Sequence, residues 1–407
     1  MMIFKAPDIL IPKDIYDYKK WSVVACDQFT SESEYWEQLD SECGDISTLR
    51  IVYPEVYLGK DEDNRIKNIN KTMKKYLDDS IFREIKGSYI LVERTTNYKH
   101  KRLGLMIAID VEQYNFTPLS YAPIKATERT VIERIPVRVK IREGALLECP
   151  HIMLLMDDFK REIIEPLYRN RDKLEKLYDF DLNMNGGHLT GYKVTDIEAI
   201  NSKLIKLIDK DVLTKKYGKA DNPFLFAVGD GNHSLASAKA CWDKIKGSIV
   251  DKENHPARYA LCELVNLYDD DLIFEPIHRV MFNVDNAFIK QLITAFKGTG
   301  KANIVYNEVR TEFNINESVP MAIAEIQGFL DDYLKINKKA SIDYIHGEEN
   351  TIKVAKKQNG VAILMPTIRK NELFKYVLDK GVLCRKAFSM GEAEEKRYYM
   401  ESKKIKV

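Results

Sequence analysis

The stretch FLFAVGDGNHSLASAKACWDKI, residues 224–245, constrains the fold more than any other part of this chain. Phe224 to Val228 is an apolar run of strand length, and Gly229-Asp230-Gly231 is a tight polar turn. From Ser234 an alanine-rich pattern sets Leu235, Ala238 and Trp242 on one helical face. A buried strand feeding straight into a helix is the unit of an α/β architecture, because the helix must cover the sheet its strand joins.

Other segments extend that reading to an α/β fold with mixed sheets. Ser31 followed by Glu34 forms a capping-box pattern for a helix carrying Tyr35, Trp36 and Leu39. Lys60 to Lys75 reads as a second helix with Ile66, Ile69 and Met73 on one face. Tyr89 to Arg94 and Leu103 to Val111 suit a hairpin around the polar loop Thr95 to Lys101. His151 to Met156 is a candidate buried strand, Arg161 to Tyr178 a helix, and Glu198 to Lys210 an amphipathic helix followed by a loop from Lys215. Arg258 to Leu267 fits either helix or strand, and Phe274 to Val280 is extended. Helices are expected at Ala287 to Phe296, Met321 to Ile336 and Asn371 to Leu378, with short strands at Thr351 to Val354 and Val361 to Met365. The tail RKAFSMGEAEEKRYYMESKKIKV shows charge without a regular apolar face.

The basic stretch ATERTVIERIPVRVKIREGA supports two readings. Val137 to Arg142 alternates with period two, as a strand would; Pro136 with Arg134, Arg138 and Arg142 at i, i+4 and i+8 suits a helix with one arginine face. Periodicity leaves both open. A chain of 407 residues suggests two or three domains, drawn here as 1–120 (α/β), 121–280 (central) and 281–407 (α/β).

Charge and composition exclude several functions. Lys+Arg 63 against Asp+Glu 62 leaves +1, with no basic field for nucleic acid or anionic lipid. Hydrophobic content of 45% and charged content of 31% are those of an ordered globular protein. No apolar run approaches the ~20 residues of a membrane span, and MMIFKAPDIL has no signal-peptide core, so a cytoplasmic protein is expected. The six cysteines are scattered with no CxxC, which points to free thiols rather than disulfides or zinc.

Three constellations could carry chemistry. At the strand-to-helix turn, glycines let the main chain approach an anion, and unsatisfied N–H groups and the helix dipole favour negative charge. Asp230 offers a carboxylate and His233 a titratable ring, although Asn232 or Ser234 could instead simply cap the helix. Neither a Walker loop nor GxGxxG is present. Glu128 beside Arg129 and Thr130 pairs a potential general base with a phosphate-holding cation, or is a solvated charge run. His278 and Arg279, near Glu275 in an apolar context, are either a ligand pair or a buried ion-pair element.

Several of these segments match one family in order along nearly the whole chain. GDGNHSLASAKA resembles the DGHHRxxTA-type turn of the family designated domain of unknown function 1015; ATERT resembles its PHERT segment, and EPIHRV its PTHRV segment. WSVVACDQFTSESEYW and the charged tail are similar to one subgroup. The resemblance implies a central ParB/sulfiredoxin-like domain, kinship with free-serine kinases, and a phosphoryl transfer from ATP or ADP with Mg²⁺ to a small-molecule hydroxyl, L-serine giving O-phosphoserine. It implies Glu128 as general base, Asp230 and His233 as catalytic partners, and Gly231, Asn232 and Ser234 on phosphate. Arg129, Thr130, Arg138 and Arg142 would supply further phosphate contacts, and Asp27, Gln28, His278 and Arg279 would hold substrate. An alternative within the same resemblance is a nucleotide-binding switch without kinase activity. One departure stands out: the family's Gly-His-His-Arg is Gly231-Asn232-His233-Ser234 here, so the turn lacks its arginine.

Overall fold

The computed structural model describes residues 2–97, 101–130, 132 and 135–406. Arg134 lies outside the described residues. The fold is α/β with mixed parallel and antiparallel sheets. The chain forms two compact units, and their limits differ from the three segments drawn on the sequence. The first comprises Met1–Ala126, Thr130–Leu272 and Glu392–Val407; the second comprises Thr127–Arg129 and Ile273–Gly391. Strand pairing is the reason, since segments on both sides of residue 120 share one sheet.

That sheet has ten strands in the order Glu175–Asp181, His188–Val194, Tyr89–Thr95, Lys101–Asp110, Tyr259–Asn266, Met153–Met156, Phe226–Asp230, Ile124–Ala126 and Tyr114–Asn115, with Phe4–Lys5 paired to Lys101–Asp110. Phe226–Asp230 runs parallel to Ile124–Ala126 and antiparallel to Met153–Met156. Both faces are covered. Tyr89, Leu91, Leu105 and Ile107 pack into one core with Phe226 and Trp242, while Ile90, Val92 and Met106 pack into another with Trp21 and Leu261. A strand buried on both sides reads as a continuous apolar run, as these do.

The arginine-rich stretch is a helix, Ile135–Gly144. Pro136, which has no N–H to give a sheet ladder, sits in its first turn, where none is needed. Three expectations need correction. The loop expected from Lys215 begins later, since Lys210–Tyr217 is a helix. Arg161 to Tyr178 is helical at Ile164–Arg169 and in the single 3-10 turn Arg171–Lys173; Glu175–Asp181 is a strand, because its backbone pairs with His188–Val194. Thr351 to Val354 belongs to the helix Glu348–Lys357, in which Thr351 and Ala355, four apart, are buried. Arg258 to Leu267 resolves as the strand Tyr259–Asn266.

In the second unit an antiparallel sheet runs Val309–Ile315, Gly300–Tyr306, Val361–Leu364, Phe274–Phe282, Ser341–His346, with Phe388–Met390 also paired to Phe274–Phe282. The segment 127–129 joins this unit through a parallel bridge between Glu128 and Leu383.

The charged tail is the larger surprise. Residues 397–403 are buried in the first unit. Ala25 N donates to Lys396 O at 2.7 Å, Tyr398 N to Val23 O at 2.9 Å, and Leu10 and Ser402 exchange backbone bonds at 2.8 Å. Among the described residues no helix is long and apolar enough to cross a membrane. The six cysteines are free.

Candidate active site

The turn after Phe226–Asp230 has the conformation its glycine permits. Gly231 adopts φ 80°, and a Cβ there would stand 2.9 Å from the Ile152 Cα, so backbone conformation and space both demand glycine. Gly231 caps the helix Asn232–Ile245 and offers it no side-chain bond, so the N–H groups of Asn232, His233 and Ser234 receive no cap from it. Gly231 N donates to Asp230 Oδ1 at 2.8 Å. The other oxygen, Oδ2, lies 3.3 Å from Lys396 Nζ, with both side chains about a quarter exposed (25% and 24%).

Asp27 belongs to the same region. Its carboxyl accepts from Gln28 Nε2 at 2.9 Å. Burial works to raise its pKa, but His151, the Gln28 amide, Lys396 and Arg138 together outweigh burial and hold it below the ordinary carboxylate range. Lys396 therefore acts on two carboxylates, Asp230 and Asp27. His151 stands edge-on to Tyr398, ring centroids 5.2 Å apart. Cys26 next to Asp27 is a neutral thiol, pushed up to about 12 chiefly by burial.

A cavity of about 360 Å³ borders this cluster, with Arg138, His151, Ser234 and Tyr398 among its lining residues. Arg138 pairs with Glu55 and Arg142 with buried Glu148. Burial opposes the charge on Glu148, but Arg142 and Lys403 hold it below its ordinary range. Asp27, Gln28, Arg138, Asp230, Gly231, Asn232, His233 and Ser234 are thus gathered in one region of the first unit, with Arg142 on the adjoining cavity wall.

The chain matches, over residues 10–383, the family described as protein of unknown function (DUF1015). It belongs to that family. No curated protein matches the chain. Solved structures similar to this DUF1015 protein include a free serine kinase in complex with AMP, at 11% identity, covering 69% of this chain and 90% of that one with a TM-score of 0.36. A conserved hypothetical protein from Pyrococcus furiosus matches at 11% identity, 68% and 90% coverage and a TM-score of 0.33. SbnI with a C-terminal truncation from Staphylococcus aureus matches at 9% identity, 68% and 82% coverage and a TM-score of 0.35.

Thr130 is buried in the first unit. Glu128 (half-buried) and Arg129 (exposed) belong to the second unit, where Leu383 N donates to Thr127 O at 2.7 Å. In that unit His278 Nδ1 accepts from Met365 N at 2.9 Å, and burial lowers its pKa. Arg279, fully buried, donates from Nε to Gln327 Oε1 at 3.1 Å and lies over the Tyr344 ring. Burial lowers its pKa, an effect opposed by Cys384, Tyr344, Glu128 and Asp331.

Sequence reading missed Lys396, His151 and Tyr398. Lys396 and Tyr398 sit in a tail without apolar periodicity, placed by backbone pairing to Ala25 and Val23. The one available signal was composition: two tyrosines and a methionine, RYYMES, inside an otherwise charged run.

Proposed function

We propose that this DUF1015 protein is a small-molecule kinase that transfers a phosphoryl group from ATP or ADP to a hydroxyl, with free L-serine as acceptor and O-phosphoserine as product. The observation that carries the reading is the meeting of an open helix N-terminus at Gly231 with two carboxylates, Asp27 and Asp230, that share the Lys396 ammonium. Phosphoryl transfer requires mainly positioning and neutralisation of anionic oxygens, and backbone N–H groups with a fixed cation supply both. Lys396 offers the positive charge that Ser234 does not.

Asp27 and Asp230 also provide hard carboxylate oxygens, the donor chemistry Mg²⁺ takes when it bridges one or two carboxylates to substrate phosphates. When bound, the ion would neutralise charge on the transferred group. In this reading Asp27 and Gln28 orient the acceptor, and Asn232, His233 and Ser234 receive phosphate oxygens. The family resemblance supports Glu128 as the general base and the ParB/sulfiredoxin-like kinship.

The test is direct. Protein incubated with ATP or ADP, Mg²⁺ and L-serine is expected to form O-phosphoserine, followed by phosphorus NMR. Nucleotide binding without phosphoserine, at any pH from mildly acidic to alkaline, would replace the kinase with a nucleotide-responsive regulator.

A further inference from the structure

We infer that the first unit holds a buried site for one small monovalent anion, of chloride size, at the guanidinium groups of Arg94 and Arg397. Both side chains are fully enclosed, at 0% and 1% exposure. Gly186 brings them together: its carbonyl accepts from Arg94 Nη2 at 3.4 Å, and a Cβ on it would lie 2.8 Å from Arg397 Nη1. Arg94 also donates to Glu394 O at 3.4 Å and to Glu395 O, and Arg397 to Ser22 O at 2.8 Å and to Asn183 Oδ1. Every one of these acceptors is neutral. Arg94 Nε and Arg397 Nε and Nη1 are buried donors that hold no hydrogen bond. The Tyr35 hydroxyl, close enough to favour the charge on Arg397, is buried without one too.

Charge decides what the site takes. Among the described residues neither guanidinium forms an ion pair, whereas neighbouring Arg102 is matched by Glu263 at 3.1 Å. Glu395 acts on Arg94 through space, but its Oε2 already accepts from Glu392 N at 2.8 Å. Burial, with the Arg94 charge adding to it, brings Arg397 down to about 10, so it stays ionised at neutral pH. Positive charge in this cluster (Arg94, Arg102 and Arg397) therefore exceeds the negative charge of Glu263 and Glu395, and an uncompensated charge inside a protein is costly. A single negative charge restores neutrality, and a phosphate dianion would overshoot it. Full enclosure selects a compact ion, because the body of an organic anion would need an opening to solvent. Taken up as the tail folds, the ion holds the chain one residue beyond Lys396.

Thermal unfolding of the full chain tests this, with sodium chloride exchanged for sodium gluconate at constant ionic strength. Raising chloride roughly a hundredfold, into the range of about 100 mM, is expected to lift the midpoint by about 2–4 °C, since an ion bound only by the folded chain stabilises it by mass action. In Arg397→Gln, which keeps donor capacity and loses the charge, the midpoint should move by less than about 1 °C over the same series. Protein purified and crystallised in sodium bromide throughout gives the second readout, an anomalous peak in contact with Arg397 Nε or Nη1. A wild-type midpoint that ignores chloride overturns the site. So does a chloride response that survives in Arg397→Gln, or a bromide crystal without that peak. Should Arg397→Gln fail to fold, the wild-type bromide crystal decides.

Discussion

Lys396 Nζ stands 3.3 Å from Asp230 Oδ2, and the same ammonium helps keep Asp27 ionised. A cation brought from a distant part of the chain thus governs two carboxylates beside an uncapped helix. Replacing it with methionine keeps the stem that packs along the protein and removes only the charge. Lys396→Met is expected to weaken ADP binding by roughly tenfold, about 1.4 kcal/mol, measured by calorimetry. Equal affinity in the variant would exclude Lys396 from phosphate binding.

Gly231→Ala meets two obstacles, a left-handed backbone at φ 80° and the Ile152 Cα 2.9 Å from the new methyl. A loss of about 1–3 kcal/mol is expected in urea unfolding. Phosphate affinity should fall with it, since the turn cannot keep its shape. Gly247, where a Cβ meets nothing within 4 Å, is the control position for alanine.

Glu128→Gln keeps size and hydrogen-bonding capacity while removing the basic carboxylate. O-phosphoserine formation should drop by roughly 10²–10⁴-fold, the range general-base catalysis supplies. Calorimetric ADP affinity should stay within about twofold of wild type. Retained turnover would reassign the base.

Glu401 gives the chain a pH signature. Burial, aided by the neighbouring Glu263 carboxylate, outweighs the bond from Tyr178 Oη at 2.6 Å and raises Glu401 from 4.5 to about 7. Between those values the folded protein keeps a proton that the unfolded chain has lost, so unfolding free energy falls as pH rises through this window. The contribution amounts to roughly 3 kcal/mol at most across the window. Glu401→Gln, always neutral, should flatten the stability profile between pH 4.5 and 7, as read from urea midpoints.

Gly104 faces a second buried acid. A Cβ at that position would lie 2.3 Å from Oε1 of Glu263 on the neighbouring strand, whose Oε2 accepts from Arg102 at 3.1 Å. Gly104→Ala must displace this ion pair within the sheet, and about 3–5 kcal/mol of stability should be lost. Thermal unfolding of the variant checks this.

What could be read from the sequence was local. The strand, turn and helix around Gly231 were legible because three adjacent signals agree: an apolar run, a Gly-Asp-Gly break and an alanine-rich helical face. The hairpin of Tyr89–Thr95 and Lys101–Asp110 was legible for the same reason. The strand Glu175–Asp181 was not, since its residues are mostly polar and its backbone is claimed by His188–Val194. At the site, Asp230 and Ser234 could be singled out from the turn alone. Lys396 could not, because its place depends on a hydrogen bond to Ala25, hundreds of residues earlier.

The threading of residues 396–405 past Ala25, Val23 and Leu10 has a consequence for biogenesis. During translation the ribosome must pass through all of Ile273–Gly391 before Lys396 exists to meet Asp230. Nascent sheet strands therefore wait, with their tail groove unfilled, until the second unit has been made. Chains released prematurely anywhere in that interval would leave the groove without Tyr399, Met400 and Ile405, whose side chains complete one core of the first unit, and so with apolar surface exposed to water.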